Sequence, residues 1–288
     1  MKELRTQINL MFHKRGFQVS FTVMLLFVVY SFINNYHRFT TDSIFNYDLE
    51  GMQAVHRSFL NESNQQHFQT FVFFFPFVAV LPFSFSLFVD RSTRINEIVI
   101  SRCGKKKYYF SKLTAAFVGG FVIILIPLMI SSALTHIFFS NSVINIFDPN
   151  YSTLTAGDKP FLTMRDLMLE ILVFSPILGE LFAAFLLSVY AGTCAVLALA
   201  LSFFIKRFAV LIFVPVFLLT KLFELGQSMI KVDYGYTYYN IDPMKYVIIS
   251  SDTPFFGRPY WLFALEIIVM LILSVSILVF ASKRDTLG

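Results

Sequence analysis

The chain has 288 residues, of which 56% are hydrophobic and only 14% are charged, and its mean hydropathy is +0.67. These values exclude a soluble globular domain and predict a polytopic membrane protein with little mass outside the bilayer. The net charge of +5 is concentrated in short segments that flank apolar runs, which argues against nucleic acid as a partner. Cys103 and Cys194 lie far apart in the sequence, so a disulfide scaffold is not expected.

Residues 1–15 predict an amphipathic helix that lies in the membrane interface. Leu4, Ile8, Met11 and Phe12 fall on one helical face, and basic residues surround that face. An unstructured basic tail is the alternative interpretation of this segment.

Six apolar runs follow, and together they predict an all-α polytopic membrane protein in which residues 16–288 form one six-span transmembrane domain. Proline inside a span is tolerated where neighbouring helices satisfy the freed carbonyl groups, so Pro76 and Pro82 predict kinks in the second span. Residues 161–176 are expected to form an external amphipathic or re-entrant piece. The predicted spans are residues 16–33, 71–89, 113–139, 177–205, 208–225 and 260–281.

The distribution of charge predicts which side of the membrane each loop occupies. With six spans and both termini in the cytoplasm, the cytoplasmic segments hold 15 of the 23 Lys and Arg residues and only four of the 18 acidic residues. That arrangement satisfies the positive-inside rule, whereas a seventh span would place four basic residues of the C-terminal half outside.

The most basic segment is the loop between the second and third spans, where seven of the residues from Asp90 to Lys112 are Lys or Arg. Arg91–Cys103 reads as a short amphipathic helix that Gly104 ends, and Glu97 is spaced to pair with Arg94. A structured helix in a tight loop predicts a docking surface for a cytoplasmic partner. The residues assigned to it are Arg91, Arg94, Ile95, Glu97, Ile98, Val99 and Arg102.

Several ionisable residues fall near the predicted outer ends of the spans. Such residues usually face the bundle interior or a water-filled cavity, so they predict an external vestibule. The alternative is a structural pair between Lys221 and Glu224, which are three residues apart on one helix. The residues assigned to the vestibule are Glu180, Lys221, Glu224 and Glu266.

Two stretches resemble the type-2, exporter-class permease subunits of ABC transporters. The first is Arg94-x-x-Glu97-Ile-x-x-Ser-Arg102 followed by Tyr108-x-x-x-Lys112, which is similar to that family's coupling-helix segment. The second is Leu197-Ala-Leu-Ala-Leu-Ser202 before Lys206-Arg207, which is similar to its Leu/Ser-rich stretch. The chain departs from the family at Arg94-Ile95, where Gly-Thr is usual.

The resemblance implies a permease subunit of an ATP-driven exporter in the bacterial cytoplasmic membrane. It also implies a cytoplasmic coupling helix between spans two and three, a dimer with a second copy or a homologous permease, and a separate ATPase subunit that carries the ATP and Mg²⁺. The sequence agrees on one point, since it contains no Gly-x-x-x-x-Gly-Lys-Ser/Thr phosphate loop.

Two other classes of function remain open at this point. One is a non-transporting integral membrane protein that acts as an immunity or scaffold subunit. The other is an intramembrane enzyme, which would need His, Cys or acidic residues at ligand spacing, whereas the five His residues are scattered. The sequence therefore predicts neither a catalytic site nor a metal site.

Overall fold

A computed structural model describes residues 2–41, 58–60, 65–83, 86–93, 95–139, 167, 171, 174–204, 216–222, 242–247 and 260–284. Every regular element in these ranges is helical. Eight α-helices have defined bounds, and residues 216–222 and a short 3₁₀ turn, Pro243–Tyr246, are helical as well. The α-helices are α1 (Lys2–His13), α2 (Arg15–Thr41), α3 (Gln65–Val80), α4 (Ser86–Ser92), α5 (Ile95–Cys103), α6 (Lys105–Phe138), α7 (Pro176–Leu201) and α8 (Tyr260–Arg284).

Four of these helices, within the described ranges, are long and apolar enough to cross a membrane. They are the segments Arg15–His37, Lys105–Phe138, Pro176–Leu201 and Tyr260–Phe280, and His67–Val80 of α3 is a shorter apolar helix. The chain is therefore an all-helical, membrane-embedded protein.

Four of the six predicted spans, the first, third, fourth and sixth, overlap these four helices but differ from them at their ends. Helix α6 begins at Lys105, eight residues before the predicted third span. Its first two turns are rich in lysine and tyrosine, so their mean hydropathy is too low to mark them as part of a span. The predicted second span is divided, since α3 ends at Val80 and a turn through Pro82 leads to α4. The predicted fifth span lies outside the described residues except for 216–222, and most of 161–176 lies outside them too.

Helices α6 and α7 run antiparallel, and their interface is the largest between the described elements. Ring contacts join Tyr109 to Phe203 at 5.5 Å near one end, while Nε2 of His136 lies 3.3 Å from Oε1 of Glu180 near the other. Small residues bring the two backbones close together: a Cβ built on Gly120 would lie only 2.7 Å from the carbonyl oxygen of Ala191. Gly120 therefore permits this close approach, because a larger residue there would separate the two helices.

The remaining helices pack around this antiparallel pair. Phe32 of α2 contacts Phe138 at a ring distance of 5.5 Å, and Phe75 of α3 stacks on Tyr190 of α7 at 5.5 Å. In α8, Tyr260 contacts Phe182 at 5.9 Å, near the start of α7. The chain thus reverses direction from α2 to α3, from α3 to α6 and from α6 to α7.

The N-terminal helix α1 packs closely against the protein, and its location in the membrane interface stays a prediction. Met11 is fully buried, and its sulfur lies where a Cβ on Gly119 would be. Gln7 is buried as well, while Leu10 and Phe12 are exposed. Helix α1 is therefore anchored to α6.

Candidate partner-docking site

The basic end of the bundle, defined by Lys14, Arg102 and Lys105–Lys107, contains the candidate docking helix. The predicted helix Arg91–Cys103 is in fact two helices, because α4 ends at Ser92 and α5 begins at Ile95. The N–H of Thr93 donates a hydrogen bond to the carbonyl oxygen of Val89 at 3.0 Å, and the Thr93 hydroxyl donates to the same oxygen at 2.8 Å. Arg91 therefore belongs to α4, and the prediction that it shares a helix with Ile95 is wrong.

Helix α5 presents two isoleucines to the outside. The side chain of Ile95 is 47% exposed and that of Ile98 is 58% exposed, whereas Val99 is half-buried and packs against the core with Ile100 and Cys103. The predicted apolar face is therefore divided between two directions. Ile95 and Ile98 remain uncovered, while Val99 attaches the helix to the bundle.

The polar residues assigned to the same surface are only partly described. Arg102 is exposed on the last turn of α5. Arg94 lies outside the described residues. Arg91 and Glu97 lie within helices, but their side chains are outside the described part, so the predicted Arg94–Glu97 pair stays a prediction.

Gly104 separates α5 from the long helix α6. Its φ of +83° falls in a region that side chains other than glycine rarely adopt, and a Cβ there would meet nothing within 4 Å. The prediction that Gly104 ends this helix is confirmed. The one-residue connection joins the docking helix directly to the start of α6.

A buried ion pair joins α4 to α6 beside the docking helix. Nζ of Lys112 lies 2.6 Å from Oδ2 of Asp90, and the Tyr108 hydroxyl donates to the same oxygen at 2.7 Å. The side chain of Lys112 is only 2% exposed and that of Asp90 is 15% exposed. Because buried charge is costly unless it is paired, this contact holds the two helices in one arrangement.

Lys14, at the junction of α1 and α2, completes the cluster. Nζ of Lys14 and Nζ of Lys112 each lie 5.1 Å from the centroid of the Phe83 ring, a distance typical of cation–π contacts. Burial lowers the pKa of Lys14, and the nearby charge of Asp90 partly opposes that shift. We call Lys14, Phe83, Asp90, Tyr108 and Lys112 the ionic cluster.

The ionic cluster was not among the residues predicted for the site. The sequence does mark Lys112, as the basic residue that opens the third span in the resemblance, but Asp90 is one of several acidic residues near a basic loop. Their pairing becomes visible only once α4 and α6 are folded side by side.

The structure describes three of the four charged residues assigned to an external vestibule, namely Glu180, Lys221 and Glu266. Glu180 is 2% exposed and lies against His136 within the α6–α7 interface, whereas Nζ of Lys221 lies 5.7 Å from the centroid of Phe73. Glu266 of α8 is near enough to Asp242 for their charges to interact. Glu224 lies outside the described residues, so neither the vestibule nor the Lys221–Glu224 pair is tested.

No cluster of three or more His, Cys, Asp or Glu side chains is arranged to hold a metal ion in the ranges that the structure describes.

No protein-family model matches the chain, and neither does any curated protein or solved structure. The four long apolar helices define the class of protein, which is a membrane-embedded helical bundle.

Proposed function

We propose that this chain is the transmembrane permease subunit of an ATP-driven exporter, and that α5 couples it to a separate ATPase subunit. The observation that carries the proposal is the exposure of Ile95 and Ile98 on a short helix whose other side packs against the bundle. An amphipathic helix that leaves apolar anchors uncovered is suited to insertion into a groove on a partner.

The surroundings of α5 support a role in transmitting motion. The helix is joined to α6 through Gly104 alone, and the ionic cluster fixes α4 against α6. A partner that displaces α5 would therefore move the end of a 34-residue helix that spans the bundle. Because the linker is short and the ion pair is buried, the movement of α5 and the movement of the end of α6 are closely coupled.

The proposal includes six spans and a cytoplasmic basic end. The alternating direction of α2, α3, α6 and α7 supports it. A second support is the position of residues 216–222 beside α3, where the ring of Phe217 contacts Phe73 at 5.7 Å and Phe77 at 5.6 Å. Lysine and arginine favour the cytoplasmic side of a membrane. ATP and Mg²⁺ would be bound by the ATPase subunit, and the permease would pair with a second copy or a homologous chain.

Co-purification from native membranes tests the proposal. The wild-type chain should retain a subunit that contains a Gly-x-x-x-x-Gly-Lys-Ser/Thr phosphate loop, and Ile98→Asp should lose most of it. Removing a central anchor typically costs more than about 2 kcal/mol of binding energy, which is roughly a 30-fold loss of affinity.

Matched variants separate docking from folding. Ile98→Leu keeps an apolar anchor at the same position, so it should retain the ATPase subunit. Arg102→Ala should give a milder, salt-sensitive loss, as expected of a charge at the rim of an interface. Recovery of the folded wild-type chain with no ATPase subunit would reject the proposal and favour a non-transporting membrane protein.

A further inference from the structure

An apolar groove of about 630 Å³ opens beside α6 at the basic end of the bundle. One wall is the first part of α6, from Lys105 to Phe117, and the other is formed by α8, where Val275 and Val279 are about half exposed. Val196 of α7 lies at its floor and is 3% exposed. The volume is within the range of cavities that bind small ligands.

Two lysines stand at the mouth of this groove. Lys105 and Lys106 line it, and the remainder of the lining is almost wholly apolar. No ion-pair partner of either ammonium group occurs among the described residues. Lys107, the next residue, is exposed but does not line the groove.

The dimensions of the groove match one leaflet of a membrane. Twelve residues of α6 separate Lys105 from Phe117, which corresponds to about 18 Å at the rise of an α-helix. Half of a typical hydrocarbon core is about 15 Å thick. If the apolar walls of the groove lie at the depth of the acyl chains, the two lysines lie at the level of the lipid headgroups.

We propose that this groove is a binding site for an anionic phospholipid, whose acyl chain lies between α6 and α8 while Lys105 and Lys106 bind its phosphate. Charge complementarity selects this occupant. A free phosphate would leave the apolar walls in contact with water, and a second apolar helix would leave both ammonium groups without a counter-charge. The inference concerns the groove alone and does not depend on coupling to an ATPase.

Native mass spectrometry of the purified full-length chain tests the proposal. Phosphatidylglycerol and phosphatidylcholine with identical acyl chains would be titrated into the detergent-solubilised protein. Phosphatidylglycerol should bind more tightly to the wild-type chain, and the double variant K105Q/K106Q should weaken its binding roughly 30-fold, given a contribution of about fivefold from each lysine near anionic lipid.

Two matched controls locate the effect in the groove. Lys107→Gln removes one positive charge from the adjacent exposed position and should leave the affinity nearly unchanged, whereas Lys106→Gln alone should weaken it about fivefold. Val275→Phe fills the groove and should reduce the binding of both lipids, whereas Ile272→Phe, at a position on the same helix that is 61% exposed and outside the groove, should not.

Equal affinity for the two lipids in the wild-type chain would overturn the proposal. An equal loss in K107Q and in the double variant would also overturn it, because it would indicate diffuse attraction to the basic surface. A detergent-stable dimer that Val275→Phe dissociates, with lipid binding unchanged, would assign the groove to a second copy of the chain instead.

Discussion

At the basic end of the bundle, the Asp90–Lys112 ion pair contributes to the stability of the fold and influences the titration of Lys14. The Lys112 side chain is almost entirely buried, and Asp90 is the carboxylate that neutralises it and accepts the Tyr108 hydroxyl. Breaking a buried pair by removing one partner is strongly destabilising, because it leaves an uncompensated charge. The pair therefore has two testable consequences, one for stability and one for the titration of Lys14.

Asp90→Asn should lower the stability of the folded chain by about 3–5 kcal/mol, as expected when a buried ion pair loses one member. Thermal unfolding in detergent, followed by size-exclusion chromatography, would measure the effect. The double variant D90N/K112M should recover much of the loss, because it removes both charges. A melting temperature of Asp90→Asn equal to that of the wild type would contradict a structural role for the pair.

The same substitution should change the pKa of Lys14. Burial lowers that pKa while Asp90 raises it, so removing the carboxylate should lower it further. The neutral amine would then appear at a lower pH, and the midpoint of the pH dependence of Lys14 acetylation, followed by mass spectrometry, should shift downward. Acetylation of Lys107, whose side chain is exposed, serves as the internal reference. A midpoint that stays in place or rises would show that Asp90 does not act on Lys14.

At the scale of helices, hydropathy predicts where the long apolar elements lie and local chemistry decides where they end. The sequence predicts the apolar runs of α2, α6, α7 and α8, because uninterrupted apolar stretches of this length are typical of membrane-spanning helices. The break between α4 and α5 was not found, since no Gly or Pro marks it. The turn at Thr93, whose N–H and hydroxyl both donate to the carbonyl oxygen of Val89, is a local feature that the residue pattern does not reveal.

The candidate docking site likewise has one part that the sequence predicts and another that depends on tertiary contacts. The uncovered Ile95 and Ile98 were predicted from helical spacing, but the inward direction of Val99 depends on how α5 rests against the core. The ionic cluster depends on contacts between residues as far apart as Lys14 and Lys112. Spacing along one helix carries no information on such tertiary contacts.

The close approach of α6 and α7 gives a prediction with an internal control. A Cβ on Gly120 would lie 2.7 Å from the Ala191 carbonyl oxygen, which is backbone, whereas a Cβ on Gly119 would lie 2.7 Å from the flexible end of Met11. Both changes to alanine gain the same helix propensity, so their difference isolates the clash. Gly120→Ala should be less stable than Gly119→Ala by about 1–3 kcal/mol, measured by thermal unfolding in detergent. Equal melting temperatures would mean that the α6–α7 interface is looser than described.

At the scale of the whole molecule, the basic end defines the orientation that the proposed function requires. Single cysteines introduced at Gly157 or Asp252 should react with an impermeant thiol reagent applied outside the cell, and one at Thr286 should not. The chain should also carry Cys103→Ser, which leaves the fully buried Cys194 as the remaining native thiol. In the wild type, burial and the charge of Glu3 raise the pKa of Cys103, which slows its reaction. The reverse labelling pattern would place the basic end outside and would remove the basis for coupling to a cytoplasmic ATPase.

The central claim is that α5 inserts into an ATPase subunit, and site-specific crosslinking tests it most directly. A photoreactive amino acid placed at Ile98 in native membranes should form an adduct with a chain that contains a phosphate loop. The same group at Ile137, which is 74% exposed near the opposite end of α6, should not form that adduct. Adducts at position 98 with lipid alone, or the same adducts from both positions, would contradict the assignment of α5 as a coupling helix.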